Sequence, residues 1–519
     1  MGIPRRMWAV PSQSRRAVES FAPPVLTPEE LRTLATEAIE AATHAGAEFA
    51  DIRVSDLREY QGGAYYGSSL YRTFGYGIRV RVNGREACVG AADPTRDGVV
   101  QAAQTAVTVA REQSQMGKPA PPLAPTPVVR GDWASSMEID PFAISPDDHV
   151  VIAHGITTRM RRLHTMIYGG FSWKTDARVY ASSDGSLVTQ RSTSVNQNAM
   201  TAYSPWRPGP ANFMSVPGFT PQTAGVESVL GDAFHSRMEA AVDDLVALGQ
   251  YPPGLAEVGR RTVILDGETF AGMLSRTVVS ALTLNRVLGE EQDGEGTSVL
   301  APPESVIGQP LFSPLVNLWV EAEVPAYGAM RWDDEGVETH TTPLIEQGIV
   351  RRYLGTRGHV AQVDTSNNHP TVALGVSFAA DVGSLPIPRP GTLSVRPPDT
   401  KTSLTDLIRT VDNGYVVRGG RHVIDQQGAG GVIAPAMIFE VQRGHIVRHI
   451  SNARLEFSTK KLLRSVIALG GIDSVVAGTG GIGGDSHQAS RCVPCTRRLS
   501  CSKTSTSSRP KGGLRSISP

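Results

Sequence analysis

The sequence predicts an α+β protein: an N-terminal α/β-type domain of hairpins and helices, then a mostly antiparallel C-terminal β domain with a few helices. Three observations point there. Helical and strand periodicities alternate through the first half of the chain. Asn83-Gly84 and Asp184-Gly185 each sit between alternating apolar and polar residues, the strongest short hairpin signal. The second half carries many short apolar runs separated by Gly-containing turns.

A chain of 519 residues exceeds one ordinary core, so two folded domains are expected. Residues 1–25 read as a disordered leader, 26–252 as the first domain, 255–480 as the second, and 481–519 as a disordered Ser/Arg-rich tail. Tyr251-Pro252-Pro253-Gly254 marks the boundary between the domains.

The elements follow in order. Thr27, Pro28 and Glu30 form a capping box for a helix whose apolar stripe is Leu31, Leu34, Ala35, Ala38, Ile39 and Ala42, ended by Gly46. Ala50 to Val54 reads as a strand. The hairpin Tyr76 to Val82, Asn83-Gly84, Arg85 to Val89 comes next, then a helix over about Asp97 to Arg111. Lys118 to Pro127 is a Pro-rich spacer. Pro146 opens a helix expected to reach about His164, and another spans Phe234 to Leu248. In the second half, strands are expected over Asn317–Val324, Leu344–Leu354, Thr392–Val395, Ala436–Val441 and His445–Ile450, with turns at Gln347-Gly348 and Arg443-Gly444. Helices are expected over Glu268 to about Asn285 and over Leu404 to about Asp412, the latter capped by Ser403.

Composition excludes some functions. Lys+Arg and Asp+Glu both number 50, so no net field favours nucleic acid or an anionic membrane. No stretch approaches the ~20 apolar residues that a membrane span needs. Ser14-Arg15-Arg16 resembles the start of a twin-arginine signal, but no apolar region follows. The four cysteines, Cys88, Cys492, Cys495 and Cys501, make no disulfide framework, which fits a reducing, cytoplasmic setting.

Candidate chemistry is sparse. Gly478-Thr-Gly-Gly-Ile-Gly-Gly lacks the Lys-Ser/Thr ending of a phosphate loop and reads as a flexible Gly segment. His445 and His449 lie four apart on a strand and read as its surface. His487, Cys492, Cys495 and Cys501 have zinc-ligand types but no element to orient them. Asp333-Asp334-Glu335-Gly336 is the densest acid cluster; with His340 it supplies the candidates for a substrate cleft, although a solvated turn is the plainer reading.

The segment Trp332-Asp-Asp-Glu-Gly-Val-Glu-Thr-His-Thr-Thr-Pro-Leu-Ile-Glu-Gln-Gly-Ile-Val resembles the signature of the TldD/PmbA family. Ala47-Glu-Phe-Ala-Asp-Ile-Arg-Val, Gly75-Tyr-Gly-Ile-Arg-Val and Phe439-Glu-Val-Gln-Arg-Gly-His-Ile resemble further family segments, in the same order, over about residues 27 to 480. The resemblance implies a two-domain subunit of a metallopeptidase-type complex. In it a TldD-like partner binds zinc through a His-Glu-x-x-x-His helix and a later Cys, and a PmbA-like partner lacks these ligands. Unfolded peptides are the implied substrate; an older name ties the family to DNA gyrase.

By register with the strand Thr262-Val-Ile-Leu, the zinc helix falls on Ser275-Arg276-Thr277-Val278-Val279-Ser280. A serine hydroxyl is a poor zinc ligand, and Arg276 is a permanent cation where the general base belongs. The later Cys falls near Gly481 or Ile482, where there is none. The expectation is a chain with no catalytic, cofactor or metal residue of its own and with zinc only in a TldD-like partner. That chain would act as a PmbA-like pseudoenzyme in a hetero- or homo-oligomer. The alternative is a free-standing hydrolase using Asp333, Asp334, Glu335 and His340 without zinc.

Overall fold

The computed structural model describes residues 23–503 except 64–66, 114–118, 161–165, 204–213, 216–220, 249, 291–295, 323–327, 364–370, 382, 390, 399, 452, 480–488 and 493–494. Residues 1–22 of the leader, Arg15-Arg16 among them, and His487 therefore lie outside the described residues.

The first half is a sheet covered by helices on one face. Helix α1 (Pro28–His44) carries the expected capping box, with Thr27 and Glu30 satisfying each other's backbone N–H groups. Strand β1 (Phe49–Gly63), β2 (Gly67–Val82) and β3 (Arg85–Ala91) follow, then helix α2 (Arg96–Glu112) and strand β4 (Arg130–Ala134). Helix α3 (Pro146–Arg159), the long hairpin β5 (Met166–Ser182) and β6 (Leu187–Tyr203), and helix α4 (Asp232–Leu248) complete it. The order across the sheet is β3-β2-β1-β5-β6-β4, with β4 parallel to β6. Asn83 and Gly84 both take positive φ, 50° and 69°, which the β2–β3 turn requires.

Strand alternation sorts this sheet into two chemically distinct faces. Ile52, Val54, Ile78, Val80, Val179 and Ala181 point to α1 and α2. Farther along the same face, Tyr60, Phe171, Trp173 and Val195 pack with residues of α3 and α4. The residues between them in sequence, such as Asp51, Arg79, Lys174, Asp176, Ser192 and Ser194, form the opposite face. They are polar, yet buried. What buries them is the second half of the chain.

That second half contains strands β7 (Pro253–Leu255) and β8 (Gly259–Leu265) and helix α5 (Gly267–Leu274). Later come β9 (Asn413–Ile424), β10 (Gly430–Gln442), β11 (His445–Ser451), β12 (Ala453–Ser458) and β13 (Cys495–Lys503). Their order is β9-β8-β13-β12-β10-β11-β7, and β9 also pairs with β10, so β9, β8, β13, β12 and β10 close a ring. A six-stranded sheet lies beside it, in the order Ile349–Val350, Thr342–Glu346, Leu318–Val320, Thr392–Val395, Ala489–Cys492, Val476–Thr479. One large core joins β8, α5 and β9 to Leu344, Ile345, Tyr353 and Leu393.

Several expectations differ from this structure. The turns at Gln347-Gly348 and Arg443-Gly444 form as expected, with positive φ at all four residues. The strand expected over Asn317–Val324 is shorter, Leu318–Val320. His445 is exposed but His449 is buried, its ring 5.5 Å from Phe439, so only the first lies on a strand surface. Most different is the segment beyond 480. Composition predicted disorder there, yet Ala489–Cys492 and Cys495–Lys503 are strands. β13 pairs with β8 from Gly259↔Cys501 to Leu265↔Cys495 and with β12 from Ala453↔Lys503 to Glu456↔Ser500. A slot with two open strand edges is filled by backbone N–H and C=O groups, which any non-proline sequence supplies. Cys492, Cys495 and Cys501 have their backbones in these strands; their side chains lie outside the described residues.

Candidate functional site

The expected ligand helix begins where predicted. β8 ends at Leu265, and the Asp266 side chain caps α5 by accepting from the Thr269 N–H at 2.9 Å. The helix is not continuous to Asn285. Residues Ser275–Val279 form a π turn, and a separate short helix spans Leu284–Val287. Hydroxyls of Ser275 and Thr277 donate to Gly272 O (3.1 Å) and Met273 O (2.8 Å), competing with the backbone ladder where β-branched residues crowd it.

Ser275 and Ser280 are buried, whereas Arg276 is exposed. The Ser280 hydroxyl accepts from Arg286 Nη1 at 2.6 Å, and Arg286 Nη2 also donates to Gln426 O. Both serine hydroxyls therefore have protein partners, and one has a guanidinium beside it. This donor set does not fit zinc, which takes imidazole, thiolate or carboxylate and is repelled by an adjacent cation. Among the described residues, no three His, Cys, Asp or Glu side chains stand close enough together to hold a metal ion.

Two titratable groups near α5 escaped the sequence reading. Burial pushes the Glu268 carboxyl up to about 7, the Asp266 charge adds to the rise, and Arg418 opposes it. Burial and then Arg276 push His422 down to about 4. The His422 ring lies against the helix at Gly272, where a Cβ would come within 3.1 Å of its Cε1. His422 is more than a hundred residues from the helix it packs against, so no spacing in the sequence could have placed it there.

The acid cluster is neither a solvated turn nor an open cleft. Asp333, Asp334 and Glu335 are 1%, 6% and 1% exposed. Asp333 accepts from the backbone N–H groups of Glu335, Val337 and Ser377. Asp334 accepts from Arg178 Nη1 at 2.8 Å and from the Ala379 N–H. Glu335 accepts from Arg79 Nη1 at 2.9 Å and from the Arg357 N–H at 2.7 Å. Burial first, then the Glu335 charge, raises the Asp333 carboxyl well above its ordinary value. Gly336 closes the turn at φ 71°; a Cβ there would meet Tyr180 Cε1 at 2.3 Å. The trio clasps the polar face of the first sheet. His340 is exposed and outside this network, so these four residues do not form one site. The sequence shows that acids cluster here; it does not show that Arg79 and Arg178, far upstream, neutralise them.

Residues 258–486 match the model of the PmbA/TldA metallopeptidase C-terminal domain. The fold is like that of TldE from Thermococcus kodakarensis, with TM-score 0.68, 16% identity, and coverage of 90% of this chain and 99% of that one. Residues 258–486 thus match a PmbA/TldA metallopeptidase C-terminal domain, and the fold of the chain is like that of TldE.

Other comparisons point to the same group of proteins. A Thermotoga maritima protein named as a modulator of DNA gyrase gives TM-score 0.66 at 15% identity, over 91% of this chain and 99% of that one. A metalloprotease of Methanothermobacter thermautotrophicus is 24% identical over 213 residues, 41% of this chain and 43% of that protein. The metalloprotease TldD homolog of Buchnera aphidicola is 26% identical over 161 residues, 31% of this chain and 32% of that protein. The chain thus matches less than half the length of those two relatives.

Proposed function

We propose that this chain is a non-catalytic, PmbA-like subunit that works on unfolded peptides together with a metal-bearing, TldD-like partner. The observation that carries the reading is the state of the two serines: Ser275 donates to Gly272 O and Ser280 accepts from Arg286, so neither is poised as a ligand. Arg276 cannot serve as a general base, because guanidinium keeps its proton throughout the accessible pH range. The scaffold around them is a complete core, in which Phe270, Met273, Leu274 and Val278 are buried. A fold kept whole without its ligands suits a subunit selected for its surfaces. The alternative hydrolase loses its basis, because Asp333, Asp334 and Glu335 are tied up in structural hydrogen bonds and His340 is separate.

The test is co-expression with a TldD-like protein of the same genome. Size exclusion should show a joint peak that persists in added salt, because equal Lys+Arg and Asp+Glu totals give little long-range steering. The chain alone should hold no stoichiometric zinc and cleave no peptide. Separate elution at micromolar concentration with unchanged partner activity rejects the role. So does about one zinc per chain that resists Ser275→Ala and Ser280→Ala.

A further inference from the structure

The buried polar face of the first sheet contains a cavity. Lys174, Asp176 and Arg178 alternate along β5, and Ser192 and Ser194 alternate beside them on β6, with Asp176 opposite Ser192 and Lys174 opposite Ser194. All five line the cavity. Its roof comes from the second half, where Ser377–Phe378 pairs with Ile387–Pro388 and brings Phe378 and Arg389 over the strands. The cavity has a volume of about 510 Å³, counting the part open to solvent.

The lining selects the charge of that head group. Lys174, Arg178 and Arg389 bring three cations, against Asp176 within the lining and Asp334 on the far side of Arg178. Lys174, Ser192 and Ser194 are 6%, 2% and 2% exposed. Ser194 accepts from the Gly328 N–H at 3.1 Å and keeps its own O–H to donate. The Ser192 hydroxyl is fully enclosed and has no hydrogen-bond partner. A buried, unpartnered donor among cations is an uncompensated cost unless something accepts from it. Met330 and Phe378 give the cavity an apolar flank.

We infer that this cavity binds a carboxylate carried on an apolar group, with Lys174, Arg389 and the Ser192 hydroxyl as its donors. A planar, two-oxygen head matches the forked geometry of the Arg389 guanidinium, and Met330 and Phe378 suit an apolar group behind it. The carboxylate has two sources: the C-terminus of a peptide ending in an apolar residue, or a small free acid. The peptide source rests on the role proposed above; the carboxylate chemistry does not.

The experiment is calorimetric titration of the full chain, without any partner, with 4-methylpentanoate, its amide, and a leucine-ended tripeptide as free acid and as C-terminal amide. The acids should bind at least about tenfold more tightly than the amides. Arg389→Gln and Lys174→Met should each remove that preference. Ser192→Ala keeps the packing and should weaken acid binding about threefold or more, so the idea stays testable if a cation variant misfolds. Binding of both acids, or of the peptide acid alone, assigns the site to a peptide terminus. Binding of the small acid alone assigns it to a free acid and counts against the peptide role only. Equal binding of acid and amide, full displacement by inorganic phosphate at matched concentration, or unchanged affinity in all three variants would overturn the inference.

Discussion

His149 shows how burial turns an ordinary side chain into a pH-dependent load. It projects from α3 between Tyr60 and Trp173, with ring centroids 4.7 and 5.6 Å away, and its Nε2–H donates to Pro141 O at 2.7 Å. Burial pushes its pKa down to about 4. The unfolded chain takes up a proton near pH 6.5, while the native ring resists until about 4. The stability that neutral His149 contributes is therefore present above pH 6.5 and is lost as pH falls toward 4, on the order of 2–3 kcal/mol in full. Urea unfolding of the parent chain and of His149→Phe at pH 7.5 and pH 4.5 reads this directly. The variant should lose the smaller amount on acidification.

Glu268 works in the opposite sense. Its folded pKa of about 7 lies above the unfolded value, so it binds a proton in the native state that the unfolded state has given up. Stability should fall as pH rises from about 4.5 to 7. Glu268→Gln should then be more stable than the parent at pH 8, by on the order of 1–3 kcal/mol, and equal to it below pH ~4.5. A variant less stable than the parent at pH 8 would mean that the carboxylate is held ionised by a partner.

At the scale of elements, β13 decides whether the second-half ring closes. It is hydrogen-bonded to β8 on one side and to β12 on the other. Deleting residues 489–519 removes β13 together with Ala489–Cys492, the strand between Thr392–Val395 and Val476–Thr479. Edges left open in both sheets should lower the melting temperature by several degrees or more and promote aggregation. A truncated chain that melts with the parent would return these residues to the status of a dispensable tail.

At the scale of the whole molecule, the halves are joined through charge as well as apolar packing. Arg79 of β2 lies between Asp51 of β1 and Glu335 of the second half, with all three buried. Burial works against the Arg79 charge, but Asp51 and then Glu335 outweigh it and leave its pKa well above the ordinary value. Trp332 adds an apolar contact to Tyr180 and Val188 and a hydrogen bond from Gln190 Nε2 to its backbone O, 2.8 Å. Glu335→Ala strands part of a buried guanidinium and the Arg357 N–H, at a cost of about 3 kcal/mol. Chemical denaturation of this variant should show that loss, with the first half melting apart from the second. A change under ~0.5 kcal/mol would mean that the trio is incidental to joining the halves.

The sequence by itself determined the local vocabulary of this protein. The α1 capping box, the Asn83-Gly84 turn and the paired positive-φ turns at Gln347-Gly348 and Arg443-Gly444 are all local properties of a few adjacent residues. That serine and arginine, the residue types at 275, 276 and 280, hold zinc poorly is likewise a property of the residue. The tertiary structure alone decided the rest. It buried Asp333, Asp334 and Glu335 by setting them against Arg79 and Arg178 on strands more than a hundred residues away. It gave a Ser- and Arg-rich segment a place as a ring strand, because backbone hydrogen bonding is blind to the composition that argued for disorder. It also put Lys174, Ser192 and Arg389 around one cavity. Neutralisation, burial and cavity shape depend on distances through space, and chain order does not carry them.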